Sequence, residues 1–151
     1  MSLNIGGAAE TIDIGVRNDS GGIVSVGEVL EIKPDGDGFK VGVPAADNWN
    51  KRKLWGVAVG KPGSTYADGE EFMLRVMGPC KAMIQTAGAT ALGDPVQVVA
   101  GSKHLVITPV ATVAVANAND AALIRGSAHQ AAAGAVGTPT LYSVWLNFPS
   151  S

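Results

Sequence analysis

Three side chains are of the kinds that most often supply a nucleophile, an imidazole base or a zinc ligand: His104, His129 and Cys80. Neither histidine has another histidine, a cysteine or an acid at ligand spacing, whereas a structural zinc site needs about four such ligands. No histidine lies near Cys80 in the sequence, so a small core residue is a better interpretation of it than a nucleophile. We therefore expect no metal centre, no catalytic thiol and no cofactor.

Acidic and glycine-rich stretches that resemble catalytic or ligand-binding loops are all incomplete. Glu70 and Glu71 are adjacent, and neighbouring residues of a strand point to opposite faces, so they cannot form a catalytic carboxylate pair. Residues 35–38 begin like a calcium loop, but position twelve is Ala46 where a glutamate is needed. In Gly-Lys-Pro at residues 60–62, the proline has no N–H to offer a phosphate. The sequence predicts that the protein is not an enzyme.

Trp49 and the basic run Lys51, Arg52 and Lys53 are the best candidate for a recognition patch. Tryptophan and arginine are typical anchors of protein interfaces. A solvated loop with one tucked indole explains the same residues equally well, and both interpretations stay open.

Composition and charge exclude several classes of protein. The formal net charge is −2, which argues against a nucleic-acid partner, and no stretch approaches the roughly 20 apolar residues that span a membrane. Charged residues make up only 16% of the chain, and after Asp94 they are Lys103, Asp120 and Arg125 alone. A segment so poor in charge makes a poor water-facing surface. It is either interior or a subunit interface, and its length favours the interface.

Apolar residues recur at every second position in short runs that are bounded by Gly, Pro and Asp turns. The clearest runs are Ile12 to Val16, Trp55 to Val59, Phe72 to Val76 and Tyr142 to Phe148. Such a pattern predicts an all-β fold, a compact single-domain barrel or sandwich over residues 11–151. Residues 1–10 are small and polar with two glycines, and we expect them to form a flexible N-terminal arm.

Two features complicate this pattern. A break at Gly78-Pro79 separates the strand at Phe72–Val76 from another predicted at residues 81–84. Residues 120–133 are rich in alanine and start at a possible helix cap, so strand and helix are both open for them.

Glycines also repeat in a similar order in the two halves of the chain. Gly27, Gly56 and Gly69 are spaced by 29 and then 13 residues, and Gly93, Gly126 and Gly137 by 33 and then 11. Two similar β units packed together would produce such a repeat.

The order of short motifs resembles that of small capsid cement (decoration) proteins of phages. The matching segments are Trp55 to Ala58, Ala67 to Ala82, Ala91 to Gln97 and the terminal strand through Tyr142 to Leu146. The resemblance covers about residues 10–148 and rests on turns and packing, not on chemistry.

The resemblance implies a fold of the kind often called a β-tulip and a homotrimer at the local threefold axes of an icosahedral head. It implies binding to the major capsid protein on the outer surface of the virion, by a protein made in the host cytoplasm. It also implies that the arm contacts the capsid, which makes Leu3 and Ile5 partner-binding residues beside Trp49 and the basic run. The alternative is another β-sandwich binding module, either a carbohydrate-binding domain or a head- or tail-fibre domain.

Overall fold

A computed structural model describes residues 11–33, 39–45, 54–86, 95–98, 101–107, 124–128 and 138–146. These ranges contain eleven strands and no helix, which confirms the predicted all-β class. No helix in the described ranges is long and apolar enough to cross a membrane. The strands are β1 Ile12–Asn18, β2 Val24–Ser25, β3 Val29–Lys33, β4 Lys40–Gly42, β5 Trp55–Val59, β6 Thr65–Tyr66, β7 Glu71–Thr86, β8 Pro95–Val98, β9 Leu105–Ile107, β10 Ile124–Ala128 and β11 Thr140–Leu146.

Nine of these strands form one sheet that closes on itself twice. The first closed ring, the first barrel, runs β1-β4-β3-β5-β7 and returns to β1. The second ring, the second barrel, runs β7-β11-β10-β8-β9 and returns to β7. The long strand β7 therefore belongs to both barrels, with Glu71–Met77 in the first and residues 78–86 in the second. Strands β2 and β6 form a separate two-stranded ribbon.

The two barrels have the same topology. In each, the first strand pairs in parallel with the third, and every other pairing around the ring is antiparallel. Outside the register shifts at Ile12–Asp13 and Ile124–Gly126, the pairing registers match the residues of one barrel to those of the other. The matched pairs include Val16 and Ala82, Leu30 and Val96, Ile32 and Val98, Val41 and Leu105, Gly56 and Gly126, Phe72 and Tyr142, Leu74 and Val144, and Val76 and Leu146. The two similar β units that the glycine repeat predicts are present, and of its glycines Gly56 and Gly126 hold matched positions, whereas Gly93 and Gly137 lie outside the described residues.

Each barrel has its own hydrophobic core because inward and outward side chains alternate along the strands. The first core is built from β1, β3, β4, β5 and the first half of β7, with Leu30 and Leu74 fully buried. Tyr66 stacks on Phe72 at its margin, with ring centroids 4.7 Å apart. The second core is centred on Ile84 and Leu105.

The first barrel contributes directly to the second core. Val29, Trp55 and Val57 lie on the opposite face of β3 and β5 from the first core, and they pack with the second. The N–H of Met83 donates to the carbonyl of Gly27 at 2.8 Å, which fixes the same segment to β7. The outer face of β3 and β5 in the first barrel therefore packs against the core of the second barrel, and the two barrels form one compact domain.

Strand β7 continues through Gly78-Pro79, so the predicted break between two strands is wrong. Gly78 has φ of 104°, a conformation that glycine adopts at little cost, and the strand bends there without ending. Its neighbours change at the same point, because Met77 pairs with Ile12 of β1 while Gly78 pairs with Leu146 of β11. The bend carries one continuous strand from the first barrel into the second.

The alanine-rich stretch is a strand where the structure describes it. Ile124–Ala128 forms β10 between β8 and β11, in the position that β5 occupies in the first barrel. The requirement to close the second ring overrides the helical propensity of alanine. The remainder of residues 120–133, like the predicted arm at residues 1–10, lies outside the described residues.

Candidate functional site

All six residues predicted to bind a partner lie outside the described residues. Leu3 and Ile5 fall within residues 1–10, and Trp49, Lys51, Arg52 and Lys53 fall within residues 46–53. Their assignment stays a prediction.

The groups that could do chemistry are dispersed in the described part of the chain. No cluster of three or more His, Cys, Asp or Glu residues there could hold a metal ion. Glu70 accepts from the N–H of Ala67 at 2.7 Å, whereas Glu71 lies 3.8 Å from Arg17. His104 stands without such a cluster, and burial lowers its pKa below the ordinary value.

Cys80 is a packing residue. It is partly buried against the second core, and burial raises the pKa of its thiol to about 12, despite the opposing effect of Arg75. A thiol with such a pKa is protonated at neutral pH and is a weak nucleophile. The interpretation of Cys80 as a core residue fits this environment.

An ion pair lies where the two barrels join. The Nε and Nη2 atoms of Arg75 donate to the two carboxylate oxygens of Asp13 at 2.7 and 2.9 Å. Its Nη1 donates to the carbonyl of Pro79 at 2.7 Å, on the far side of the bend in β7. The hydrogen bond to Asp13 raises the pKa of Arg75. Arg75 therefore ties the first barrel to the start of the second.

The most distinctive exposed feature is a groove on the outside of the first barrel, lined by residues of β1, β4 and β7 and by Phe39. Its volume is about 510 Å³, and its surface residues are Gly15, Arg17, Phe39, Lys40, Glu71 and Met73. Gly15 forms the floor, since a Cβ built there would meet nothing within 4 Å. Val16 and Phe72 lie beneath with their side chains in the core.

The groove combines apolar walls with a charged rim. Phe39 is 57% exposed and Met73 is 45% exposed, so two large apolar side chains face solvent in the groove. Arg17 and Lys40 supply positive charge at one side, and Glu71 supplies negative charge opposite Arg17. Apolar walls with a polar rim are the usual anatomy of a protein docking site.

A second concavity adjoins the groove through Met73. It has a volume of about 470 Å³ and is lined by residues of both barrels, including Pro62, Cys80 and Leu141. Leu141 is 41% exposed. The outer surface of β7 therefore offers apolar contact area on both barrels.

Sequence reasoning missed this surface. The alternating pattern places Met73 in a strand, and an outward methionine between Phe72 and Leu74 is a signal for an exposed apolar position. Gly15, which interrupts a run of isoleucine and valine, was the second signal. Phe39 gave none, because its place on the same surface as Gly15 depends on the parallel pairing of β4 with β1.

Two of the three tryptophans fall within the described residues. Trp55 is buried in the second core, and Trp145 is half-buried in β11. The position of Trp55 removes it from any sugar-stacking surface, which weakens the carbohydrate-binding alternative.

No family model matches the chain, and no curated protein matches it. Among solved structures, it is similar to the N base of the head fiber gp8.5 in bacteriophage phi29. That likeness has a TM-score of 0.52 and 12% sequence identity, and it covers 94% of this chain and 98% of the other. At this identity the likeness shows a shared fold.

Proposed function

We propose that this protein is a structural component of a phage head, without catalytic activity, that decorates and stabilises the icosahedral capsid from outside. In this proposal it binds the major capsid protein as a homotrimer at local threefold axes, after synthesis in the host cytoplasm. The observation that carries the proposal is a fold shared over nearly the whole chain with the base of a phage head fibre.

Three properties of the chain support a structural role. The described residues contain no cluster of metal-ligating side chains, and the thiol of Cys80 is held protonated. The sequence after residue 94 carries only three charged residues, as expected of a segment covered by other subunits. The exposed apolar walls of the groove provide contact area on the described surface.

The same likeness favours a second candidate, an attachment base for a head fibre. Both functions place the protein on a capsid, but they differ in what binding does to the shell. A decoration protein clamps neighbouring capsomers and raises the temperature at which the head disrupts. A fibre base needs only to attach to the capsid, and its binding need not change that temperature.

The test uses heads of the phage that carries this protein, stripped of it and then incubated with purified protein. Co-sedimentation measures binding, and calorimetry measures the disruption temperature of the loaded heads. Saturable binding with a higher disruption temperature supports decoration, and binding with an unchanged temperature supports the fibre base. Absence of binding to either expanded or unexpanded heads contradicts both.

The oligomeric state is measured by light scattering behind size exclusion. The subunit mass is 15.3 kDa, so a homotrimer has a mass near three times that value. A stable trimer would support the threefold clamp.

A further inference from the structure

The concavity that adjoins the groove at Met73, called here the junction concavity, lies where the two barrels meet. Strands β1 and β5, the first half of β7 and the turn after β5 contribute its lining from the first barrel. The second half of β7 and β11 contribute the rest. Its volume of about 470 Å³ lies within the range of ligand-binding pockets, roughly 300–1,000 Å³.

The walls of the junction concavity are fixed by contacts within the chain. Leu141 lies so close to Gly27 that a Cβ added to the glycine would collide with it. The turn that carries Pro62 is closed by the N–H of Ser64, which donates to the carbonyl of Lys61 at 3.0 Å. The site is therefore formed before a partner binds, so little loss of conformational freedom opposes binding.

Apolar side chains supply most of the surface of the junction concavity. Met73, Leu141 and Pro62 are exposed, and Val26 and Val59 are half-buried. This apolar surface is open to solvent and continues past Met73 into the groove. A small molecule is usually enclosed by its pocket, so an open surface of this kind suits a segment of another protein better.

One positive charge of the junction concavity has no partner. Asp13 and Arg75 neutralise each other in their bidentate pair, and the remaining charged residue of the lining is Lys81. Within the part of the chain that the structure describes, the exposed Lys81 side chain makes no ion pair or hydrogen bond. Lys61, next to Pro62 in the turn, is likewise exposed and unpaired there. The concavity should therefore attract a negative group, and the attraction should fall as salt increases.

The apolar wall and the free charge lie at a defined spacing. Lys81 pairs with Ser143, and Leu141 pairs with Met83, so Lys81 and Leu141 are diagonal neighbours on one face of the β7–β11 ladder. Such neighbours are roughly 7 Å apart. Side chains two residues apart in an extended segment share one face and have nearly the same spacing, since a strand rises about 3.3 Å per residue.

We propose that the junction concavity is a docking site for an extended segment of another protein, with an apolar residue and an acidic residue two positions apart. The apolar side chain packs against Met73 and Leu141, and the carboxylate pairs with Lys81. Under the proposed function, on which this identification of the partner rests, the segment belongs to the major capsid protein.

The described surface of a second copy offers no free carboxylate for this site. Each acidic side chain in the described ranges already has a partner within its own copy. These side chains are Asp13, Asp19, Glu28, Glu31, Asp68, Glu70 and Glu71. A second copy that used one of them would have to give up an existing contact, which favours a different protein as the partner.

Head binding by Lys81→Glu tests the charge. The substitution removes no contact of the described residues, so the variant should fold, and we expect it to bind stripped heads about tenfold more weakly than wild-type protein. Arg17→Glu is the matched control, because it reverses an exposed charge that Glu71 already neutralises and that lies outside the concavity. Its effect should stay below about twofold. Normal binding by Lys81→Glu, or equal losses in both variants, would overturn the proposal.

A photo-reactive phenylalanine in place of Leu141 identifies the occupant on loaded heads. It should cross-link to the major capsid protein, at a segment with an acidic residue two positions from an apolar one. The same probe in place of Ile23, which is 61% exposed and does not line the concavity, should not label that segment. A cross-link from position 141 to another copy of this chain, or to a segment without an acid, would overturn the proposal.

Selection of random peptides separates this inference from the proposed function. Peptides displayed on yeast are sorted for binding to wild-type protein and against binding to Lys81→Glu. Recovery of peptides with the apolar and acidic pair would support the docking site even if wild-type protein binds no heads, a result that rejects the proposed function. Recovery of peptides without this pair, or of none, would reject the docking site, and head binding by wild-type protein would still retain the structural role.

Discussion

Arg75 and Asp13 form a bidentate ion pair across the ladder between β7 and β1, and the same guanidinium reaches past the bend of β7 to Pro79. Both side chains are about three-quarters covered, at 23% and 25% exposure. Arg75 therefore holds β1 against β7 in the first barrel and also holds the bend at which β7 enters the second barrel.

Replacing Arg75 by methionine should destabilise the protein by about 1–3 kcal/mol, because it leaves the carboxylate of Asp13 and the carbonyl of Pro79 without this donor. Urea unfolding followed by tryptophan fluorescence measures the change. Arg17→Met is the matched control: its ion pair with Glu71 is long and exposed, so its effect should stay within about 0.5 kcal/mol. Equal effects of the two substitutions would contradict the structural role of Arg75.

Gly56→Ala should destabilise the protein by about 1–3 kcal/mol through overpacking. An added Cβ would lie 2.6 Å from Cγ of Leu74 and 2.7 Å from the carbonyl oxygen of Arg75, so the backbone of β7 must move. Thermal unfolding measures the loss. Gly22→Ala is the control, because the added Cβ meets nothing within 4 Å, and it should leave the unfolding midpoint nearly unchanged. A Gly56→Ala variant with the same midpoint as Gly22→Ala would refute the close approach of Gly56 to β7.

Asn18→Ala should cost about 2–4 kcal/mol, because the buried amide makes four hydrogen bonds. Its Nδ2 donates to the carbonyls of Gly22 and Tyr66, and its Oδ1 accepts from the N–H and hydroxyl of Ser20. Chemical unfolding measures the change. Ser20→Ala removes only the hydroxyl bonds and should cost less than about 1 kcal/mol. A smaller loss for Asn18→Ala than for Ser20→Ala would show that the amide does not hold this turn.

Cys80 should resist thiol reagents in the folded protein at pH 8, because a pKa of about 12 leaves about one thiol in ten thousand ionised. The same raised pKa has a consequence for stability. The folded state binds the proton more tightly than the unfolded state, so this contribution is complete below pH 9 and is lost as pH rises towards 12.

Urea unfolding between pH 8 and 11 tests this expectation. The stability of the wild-type protein should fall with pH more steeply than that of Cys80→Ala, by less than about 1.4 kcal/mol per pH unit. Parallel profiles, or rapid labelling of the folded thiol at pH 8, would contradict the enclosed environment of Cys80.

The strands were predictable because burial on one face leaves a period of two in the sequence. Ile14 and Val16 on β1, and Tyr142, Val144 and Leu146 on β11, carry this period. The repeat of glycines was also visible, because the matched positions Gly56 and Gly126 both lie opposite a core residue of the neighbouring strand.

The continuity of β7 and the position of the groove were not predictable from one sequence. Gly78-Pro79 is locally a break, and only pairing with β1 on one side and β11 on the other keeps the backbone extended. The groove needs Phe39 on the same surface as Gly15, an arrangement set by the parallel pairing of β1 with β4. Local patterns do not encode such long-range registers.

The sharing of β7 also governs how the molecule comes apart. Each barrel needs this strand to close its ring, so neither can lose it without opening the other. Val29, Trp55 and Val57 add to this coupling, because unfolding of the first barrel would withdraw them from the second core. The two repeats should therefore melt in a single cooperative transition, as one folding unit built from two copies of the same plan.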